Sequence, residues 1–300
     1  MLSLLLPPSL VGLIAGIVLL GGTLAAGLAF IPIIVLKLLL PFAGARRACT
    51  EVMFSIAHHW SLFNRVVYRL LYPVSWEIDQ RGALDPHKSY LLICNHQSII
   101  DILLMFDQFH TRTPPLCFFL KNELLWVPVI GWACWGMDFP FMKRSGLASD
   151  LAATRQFCER FRNQPITVVN FAEGTRFSEG KRVSKKSPYR HLLRPKAAGL
   201  SYTLNAMGEQ FDGVIDVTIA YRPSRFPPVW SFLTGEQTQL SIVIDVLPVP
   251  AELMAGDYLH DPVYRERCQN WINTLWQRKD ARLERMITRR PAGAARPRLT

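Results

Sequence analysis

The stretch from Tyr90 to Asp101, YLLICNHQSIID, contains the clearest structural signal in this 300-residue chain. Its first half, Tyr90–Cys94, is a continuous apolar run, typical of a strand that is buried on both faces. Its second half, Asn95–Asp101, is mostly polar, and a helical pattern follows at Leu103–Phe109. A buried strand that leads through a polar turn into a helix is the unit of an α/β fold. In such folds the functional site lies where the strands end.

The same alternation of strands and helices continues on both sides of this unit. It predicts an α/β layered domain with a largely parallel sheet flanked by helices. The predicted strands are Glu77–Arg81, Tyr90–Cys94, Leu116–Leu120, Met137–Met142, Ile166–Phe171, Gly213–Ala220 and Leu240–Val246. The predicted helices are Leu103–Phe109, Leu151–Asn163 and Asp261–Ile287, and Asn122–Trp135 is helical or looped.

His96 and Asp101 lie in the polar segment after the first quoted strand. Five residues turn a helix by about 500°, so the two side chains cannot share one helical face. They meet only if His96 lies in the turn and Asp101 lies one turn into the helix. Asp101 would then bind one ring nitrogen of His96 and leave the other nitrogen as a base. The alternative is a strand-to-helix turn with a polar cap, and the residue types alone leave both interpretations open.

A second polar segment, Asn170–Arg176 (NFAEGTR), also follows an apolar strand candidate. Gly174 permits an unusual backbone turn, and the planar guanidinium of Arg176 is suited to bind phosphate. The segment Lys181–Lys186 adds four basic residues. The alternative interpretation is a solvated basic loop after an ordinary β-turn. Lys143 and Arg144 follow a third strand candidate, so three strand ends would form one site if they converge.

Composition narrows the classes of function. The formal net charge of +11 suits nucleic acid, an anionic membrane surface or a phosphorylated substrate. The sequence has no zinc-finger spacing, RNA-binding aromatic signature or recognition-helix pattern, so we do not expect nucleic acid as a partner. The six cysteines include no CxxC pair. We expect them to be reduced and buried, and we expect no metal site.

The N-terminal run Leu2–Phe42 carries only one charged side chain, Lys37. It is longer than the apolar region of a signal peptide, and a single membrane span needs only about 20 residues. We expect an uncleaved, membrane-embedded helical segment. It forms either one span near Ser9–Phe30 or a helical hairpin that turns near Gly21-Gly22. A buried helix pair in a soluble protein is the remaining alternative.

Basic residues next to the apolar run predict the orientation of the protein. Arg46 and Arg47 favour the cytoplasmic side of the membrane. We therefore expect the protein to lie in the cell membrane (the inner membrane of a Gram-negative cell), with the remaining domain in the cytoplasm. Val52–Leu71 is typical of an amphipathic interfacial helix, and the Arg289–Arg298 tail either touches anionic lipid or is solvated. The predicted organisation is an anchor at 1–42, an interfacial helix and linker at 43–75, an α/β domain at 76–250, and a C-terminal helix with a basic tail at 251–300.

The two polar segments together resemble the glycerolipid acyltransferase family, which includes lysophosphatidate and glycerol-3-phosphate acyltransferases. The resemblance covers roughly residues 76–249, and FPFMKRSG is also similar to the lysocardiolipin acyltransferase branch. In the last block the usual proline comes late, at Pro223. The residues that carry the resemblance are His96-x4-Asp101, Glu173-Gly174-Thr175-Arg176, Phe141-x-x-Arg144, His191–Leu200 and Val217–Pro223.

The resemblance implies acyl transfer from a thioester, acyl-CoA or acyl carrier protein, to the hydroxyl of 1-acyl-glycerol 3-phosphate. It implies that His96 is the general base and that Asp101 fixes its tautomer. The absence of a GxSxG motif favours direct attack by the hydroxyl over an acyl-enzyme. The residues implied for the acceptor phosphate are Arg144, Glu173, Gly174, Thr175 and Arg176.

The implied partners are a lysophospholipid acceptor, an acyl thioester donor and an anionic membrane surface. The resemblance implies no cofactor beyond the thioester co-substrate. The alternatives are a lysocardiolipin-like or other lysophospholipid acceptor, glycerol 3-phosphate as the acceptor, and a non-enzymatic membrane protein.

Overall fold

A computed structural model describes residues 2–73, 75–143, 147–162, 164–222, 224, 226–237 and 239–288. The sequence predictions for Arg144, for Pro223 and for the Arg289–Arg298 tail lie outside these residues. The helices are α1 (Pro8–Leu39), α2 (Ala43–Leu71), α3 (Ile100–Phe109), α4 (Ile130–Gly136), α5 (Leu147–Arg160), α6 (Glu179–Ser184), α7 (Ala197–Met207), α8 (Pro228–Leu233) and α9 (Pro262–Thr288). The strands are β1 (Ser75–Arg81), β2 (Tyr90–Cys94), β3 (Leu116–Phe118), β4 (Leu120–Lys121), β5 (Phe141–Met142), β6 (Thr167–Phe171), β7 (Gly213–Tyr221) and β8 (Gln239–Leu247).

The main sheet has six strands in the order β1-β8-β7-β2-β6-β3. Its strand pairs are parallel except for β7 with β8. Strand β2 lies inside the sheet, where Tyr90 is level with Thr167 of β6 and with Gly213 of β7. All five residues of β2 are buried, as the continuous apolar run predicts. The predicted α/β class with a largely parallel sheet is confirmed.

Two predicted strands are shorter than the sequence suggests. The apolar run Leu116–Leu120 divides into β3 and β4, and only β3 joins the main sheet. Of the predicted Met137–Met142, only β5 is a strand, and it pairs with β4 in a separate two-stranded sheet. Asp138 has a positive φ of 66° and Pro140 has no N–H to donate, so this segment cannot continue a ladder.

Helix α1 is continuous from Pro8 to Leu39, so of the two alternatives the helical hairpin with a turn near Gly21-Gly22 is wrong. The chain reverses after Leu40 instead, and α2 packs antiparallel on α1. Trp60 of α2 donates to Thr23 Oγ1 (3.1 Å), and Lys37 of α1 donates to Thr50 Oγ1 (2.7 Å). Gly22 serves close packing rather than a turn. A Cβ on Gly22 would lie 2.2 Å from the Phe63 ring of α2.

Helix α1 also contacts the α/β domain near both of its ends. Near its N-terminus, a Cβ on Gly12 would lie 3.0 Å from Thr234 Cγ2, just after α8. Near its C-terminus, Lys37 donates to the Gly136 carbonyl (2.7 Å) and forms an ion pair with Asp138 (2.5 Å). The only charged side chain of the apolar run is therefore neutralised by the α/β domain.

Helix α2 is joined to α3, the helix that begins next to the candidate site. Arg65 of α2 donates to the Asp107 carboxylate and to the Asp107 carbonyl. Tyr68 Oη donates to the same carboxylate (2.9 Å). The interfacial helix predicted at Val52–Leu71 thus lies within α2 and holds α3 in place.

Helix α9 is part of the α/β core, although the sequence suggested a separate region from residue 251. Lys279 of α9 is fully buried and pairs with Asp216 of β7 (2.6 Å). Arg282, one turn further on, pairs with Asp216 (3.5 Å) and with Asp245 of β8. A buried cation is costly without a partner, so these carboxylates fix α9 against the sheet.

Candidate active site

The candidate site begins at the carboxyl end of β2. Asn95 is fully buried there, and its side-chain amide pairs with the backbone of Ile219 in β7. Asn95 Nδ2 donates to the Ile219 carbonyl and Asn95 Oδ1 accepts from the Ile219 N–H, both at 2.9 Å. This exchange ties the end of β2 to the neighbouring strand and fixes where the chain turns.

His96 and Asp101 meet as the turn geometry requires. His96 lies in the turn, Asp101 lies in the first turn of α3, and His96 Nδ1 is 2.9 Å from Asp101 Oδ2. The same oxygen accepts the backbone N–H groups of Gln97 (2.7 Å) and Ser98 (3.0 Å). Asp101 therefore both caps the turn and binds His96. The catalytic-pair interpretation and the polar-cap interpretation of the sequence each describe part of its role.

Tyr221 completes the shell around Asp101. It is the last residue of β7, it is buried, and its hydroxyl donates to Asp101 Oδ1 (2.5 Å). Burial and the neighbouring Asp101 raise the pKa of Tyr221 well above its ordinary value, so it remains a donor. Sequence reasoning missed this contact, although Tyr221 lies in the Val217–Pro223 block that resembles the family.

These contacts set the tautomer of His96. A carboxylate only accepts hydrogen bonds, so Nδ1 carries the proton and donates to Asp101. Nε2 then keeps its lone pair and is free to accept a proton. The His96 ring stacks on Phe171 with 4.2 Å between centroids, and its side chain is 17% exposed. Stacking on Phe171 thus fixes the orientation of the His96 ring, and part of the ring remains accessible to solvent.

Glu173 lies beside the histidine but does not face solvent. It is 1% exposed, and its carboxylate accepts the backbone N–H groups of His96 (3.2 Å) and Leu193 (3.0 Å). Gly174 follows with a positive φ of 66°, which glycine adopts without strain. The structure therefore does not place Glu173 where a substrate phosphate could reach it, because its carboxyl group is buried and each of its two oxygens already accepts a backbone N–H group. Its visible role is to position His96.

The next residues form a basic surface beside this turn. Lys181 of α6 donates to Thr175 Oγ1 (3.0 Å) and to the Arg176 carbonyl (2.9 Å). Arg176 is exposed, and Arg144 lies outside the described residues. Desolvation lowers the pKa of Lys181, as do the nearby charges of Lys185, Arg176 and Lys121. Glu173 accepts the His96 N–H, and the Phe177 N–H donates to the His96 carbonyl (2.7 Å). The intervening Gly174, Thr175 and Arg176 therefore lie beside the His96 turn, in a cationic environment.

Thiol chemistry does not fit this site. Cys94 precedes the histidine turn, but it is fully buried, and burial raises its pKa well above the ordinary value. A buried, protonated thiol is a poor nucleophile. All six cysteines are free, and the described residues contain no cluster of three or more His, Cys, Asp or Glu side chains that could hold a metal.

The geometry therefore places a histidine–aspartate pair, with one ring nitrogen left to accept a proton, next to a cationic surface at the strand ends of an α/β domain. Known proteins with similar sequences are acyltransferases. Residues 77–222 match the family model described as Acyltransferase. The chain is 24% identical over 274 residues to 1-acyl-sn-glycerol-3-phosphate acyltransferase delta of Rattus norvegicus, covering 79% of this chain and 68% of the relative.

Two further similarities extend this result. The chain is 23% identical over 218 residues to lysocardiolipin acyltransferase 1 of Gallus gallus, covering 67% of this chain and 54% of the relative. The crystal structure of the 1-acyl-sn-glycerophosphate acyltransferase PlsC from Thermotoga maritima has the same fold, with a TM-score of 0.53 at 15% identity. That match covers 95% of this chain and 99% of the solved one.

Residues 77–222 thus form an acyltransferase domain, and the relatives named above are glycerolipid acyltransferases. The predicted enzyme class, an O-acyltransferase, is confirmed.

The position of Glu173 makes stability depend on pH. Burial raises the pKa of Glu173 to about 8 from 4.5, although its hydrogen bonds from Leu193 and His96 oppose the shift. Between these pH values the folded protein holds a proton that the unfolded chain releases. The free energy of unfolding therefore falls as pH rises, by up to about 1.4 kcal/mol per pH unit.

Thermal unfolding of the wild type and of Glu173→Gln, compared from about pH 5 to about pH 8, measures this effect. We expect the wild type to lose stability relative to the variant as pH rises, because Gln cannot titrate. A difference that stays constant over the range would mean that the two backbone donors keep Glu173 ionised.

Proposed function

We propose that the protein transfers a fatty acyl group from a thioester donor to the hydroxyl of 1-acyl-glycerol 3-phosphate, which gives phosphatidate for phospholipid synthesis. The observation that carries this proposal is the contact between His96 Nδ1 and Asp101, which leaves Nε2 free as a base. The relative from Rattus norvegicus is named for this acceptor class and supports the choice.

The reaction needs one proton acceptor and no covalent acyl-enzyme. The acceptor hydroxyl gives its proton to His96 Nε2 as its oxygen attacks the thioester carbonyl. The C–S bond then breaks, and the leaving thiolate takes the proton back from the imidazolium. Asp101 stabilises the imidazolium, and Tyr221 and two backbone N–H groups hold Asp101. General base catalysis of this kind contributes about 10²–10⁴-fold.

The acceptor phosphate fits the cationic surface at the end of β6. Arg176 offers a planar fork for a phosphate dianion, and Thr175 offers a hydroxyl. Lys181 holds this pair through the threonine hydroxyl and the arginine carbonyl. Gly174 permits the backbone turn, Glu173 positions His96 rather than binding phosphate, and Arg144 is proposed as a further ligand from the family resemblance. No cofactor is required beyond the donor, acyl-CoA or acyl carrier protein.

A lysocardiolipin-like acceptor is the second candidate, since the relative from Gallus gallus carries that name. Glycerol 3-phosphate is the third. All three acceptors present a hydroxyl near a phosphate, so they use the same base and cationic surface. They differ in the number of acyl chains and in whether the phosphate is a monoester or a diester.

The membrane attachment follows from the two ends of α1. By length and composition alone, α1 could cross a membrane: its most apolar 18-residue window has a mean hydropathy of 2.3, and only 11% of that window is buried. Yet Gly12 and Lys37, both in contact with the α/β domain, are about 38 Å apart along the helix at 1.5 Å per residue. The hydrocarbon core of a bilayer is about 30 Å thick. An upright helix would place parts of one folded domain on opposite sides of the membrane.

We therefore infer that α1 and α2 lie in one leaflet, with the exposed apolar side chains of α1 in the lipid. The α/β domain then rests on the membrane surface. Arg46 and Arg47 support the cytoplasmic face of the cell membrane.

The acceptor is tested with labelled oleoyl-CoA in membranes, against lysophosphatidate, lysocardiolipin, other lysophospholipids and glycerol 3-phosphate. We expect the highest kcat/KM with lysophosphatidate. We expect His96→Ala to lower kcat by about 10²-fold or more, because the base is lost. His87→Ala, an exposed histidine outside the site, is the control. Full activity in folded His96→Ala would contradict the mechanism, and a preference for lysocardiolipin would select the second candidate.

The phosphate contact is tested by varying each substrate in turn. Arg176→Ala should raise KM for lysophosphatidate about tenfold or more, on the order of 1.4 kcal/mol. KM for the thioester should change much less, and Arg176→Lys should restore only part of the loss. Arg182→Ala removes a nearby arginine that pairs with Glu179 and is the matched control. If only the thioester KM rises, the loop binds the donor phosphates instead.

The one-leaflet arrangement is tested with two variants, in which a cysteine replaces either Leu5 or Phe42. These residues precede and follow α1 in the chain, and they are 80% and 71% exposed. An impermeant thiol reagent is added to sealed vesicles of each orientation, in a Cys134→Ala background. Both positions should react from the cytoplasmic side only. Reaction from opposite sides would mean that α1 spans the bilayer.

A further inference from the structure

A cavity lies between helices α1 and α2 and the α/β domain, away from the candidate active site. Its volume is about 310 Å³. Its walls come from the C-terminal end of α1, the first turn of α2, the segment between α4 and β5, and α5. This volume is at the lower end of the range for ligand pockets, so it suits a headgroup rather than a whole lipid.

The cavity carries more positive than negative charge. Its lining includes Lys37, Arg46 and Arg160, and Asp138 is the only carboxylate among the described residues that line it. Asp138 pairs with both Lys37 and Arg160. Among the described residues no carboxylate pairs with Arg46. An anion placed between the two arginines would balance the excess charge.

One wall of the cavity is apolar and continuous with the lipid-facing surface of α1. Ile34 and Leu38 line it from α1, and Phe139 and Phe157 line it from the domain. Leu38 is 61% exposed, so the apolar wall opens toward the region where α1 meets lipid. A ligand that fits must therefore combine an anionic group with a hydrocarbon chain.

The cavity is separate from the site of acyl transfer. The His96 ring stacks on Phe171, Phe171 lies beside Phe118, and Phe118 lies beside Phe139, with centroid distances of 4.2, 6.2 and 6.2 Å. Phe139 forms the cavity wall on the far side of this row. Neither His96 nor Arg176 lines the cavity.

We propose that this cavity binds the headgroup of an anionic phospholipid of the surrounding bilayer. Its phosphate lies between Arg46 and Arg160, and one acyl chain follows Ile34 and Leu38 along α1. This site is additional to the proposed acyltransferase function, and it seats the α/β domain on anionic membrane at a fixed place.

The test uses full-length protein in nanodiscs and native mass spectrometry of retained lipid. The probes are phosphatidylglycerol and phosphatidylcholine with identical acyl chains. The double variant Arg46→Gln/Arg160→Gln is compared with Arg47→Gln/Arg155→Gln, which removes two exposed arginines of the same helices that do not line the cavity. We expect phosphatidylglycerol retention to fall about tenfold in the first variant and little in the second.

A second variant tests whether a loss of lipid retention could result from misfolding. Gln156→Glu places a carboxylate in the cavity lining at an exposed position, and it should lower retention while the thermal unfolding midpoint stays unchanged. Acyl transfer in neutral detergent should remain in all these variants, which separates this site from the proposed function. Equal losses in both arginine pairs would mean general surface attraction and would overturn the proposal. Equal retention of the two lipids would also overturn the proposal. A rise in the thermal unfolding midpoint with inorganic phosphate alone, as large as that with phosphatidylglycerol, would overturn it as well.

Discussion

The Asp101 carboxylate is the interaction on which the rest of the site depends. It is fully buried and accepts four donors: the His96 ring, the Tyr221 hydroxyl and the backbone N–H groups of Gln97 and Ser98. Four donors compensate for the loss of water around the charge. Because these donors come from the turn after β2 and from the end of β7, one carboxylate joins the base, the turn and the sheet.

The same turn is connected to the two N-terminal helices that we propose to lie in the membrane. Asp101 lies in the first turn of α3, and Asp107 near the end of α3 binds Arg65 and Tyr68 of α2. In the last turn of α1, Lys37 pairs with Asp138 of the α/β domain. The two helices that we propose to lie in lipid are thus hydrogen-bonded to the domain that holds His96. Under the proposed function, a water-insoluble acceptor would reach His96 from the leaflet without leaving the membrane surface.

Sequence reasoning succeeded where the signal is local. The apolar run Tyr90–Cys94 predicts a buried strand by itself, and the five-residue spacing limits how His96 and Asp101 can meet. It failed where the partner is distant in the chain. Tyr221 contacts Asp101 only because β7 lies beside β2. Nothing in the local sequence distinguishes the buried Lys279 of α9 from a surface lysine, because its partner Asp216 lies on a different element. Gly21-Gly22 suggested a turn, because the sequence alone does not show that Phe63 packs against Gly22.

The central claim is that Asp101 holds His96 in the tautomer with the proton on Nδ1. Nitrogen-15 NMR of protein with labelled histidines tests it directly, with His96→Ala used to assign the signal among the seven histidines. The account predicts that neutral His96 carries its proton on Nδ1 in the wild type and loses this preference in Asp101→Asn. A wild-type His96 with its proton on Nε2 would contradict the account, since no ring nitrogen would then face the substrate as a base.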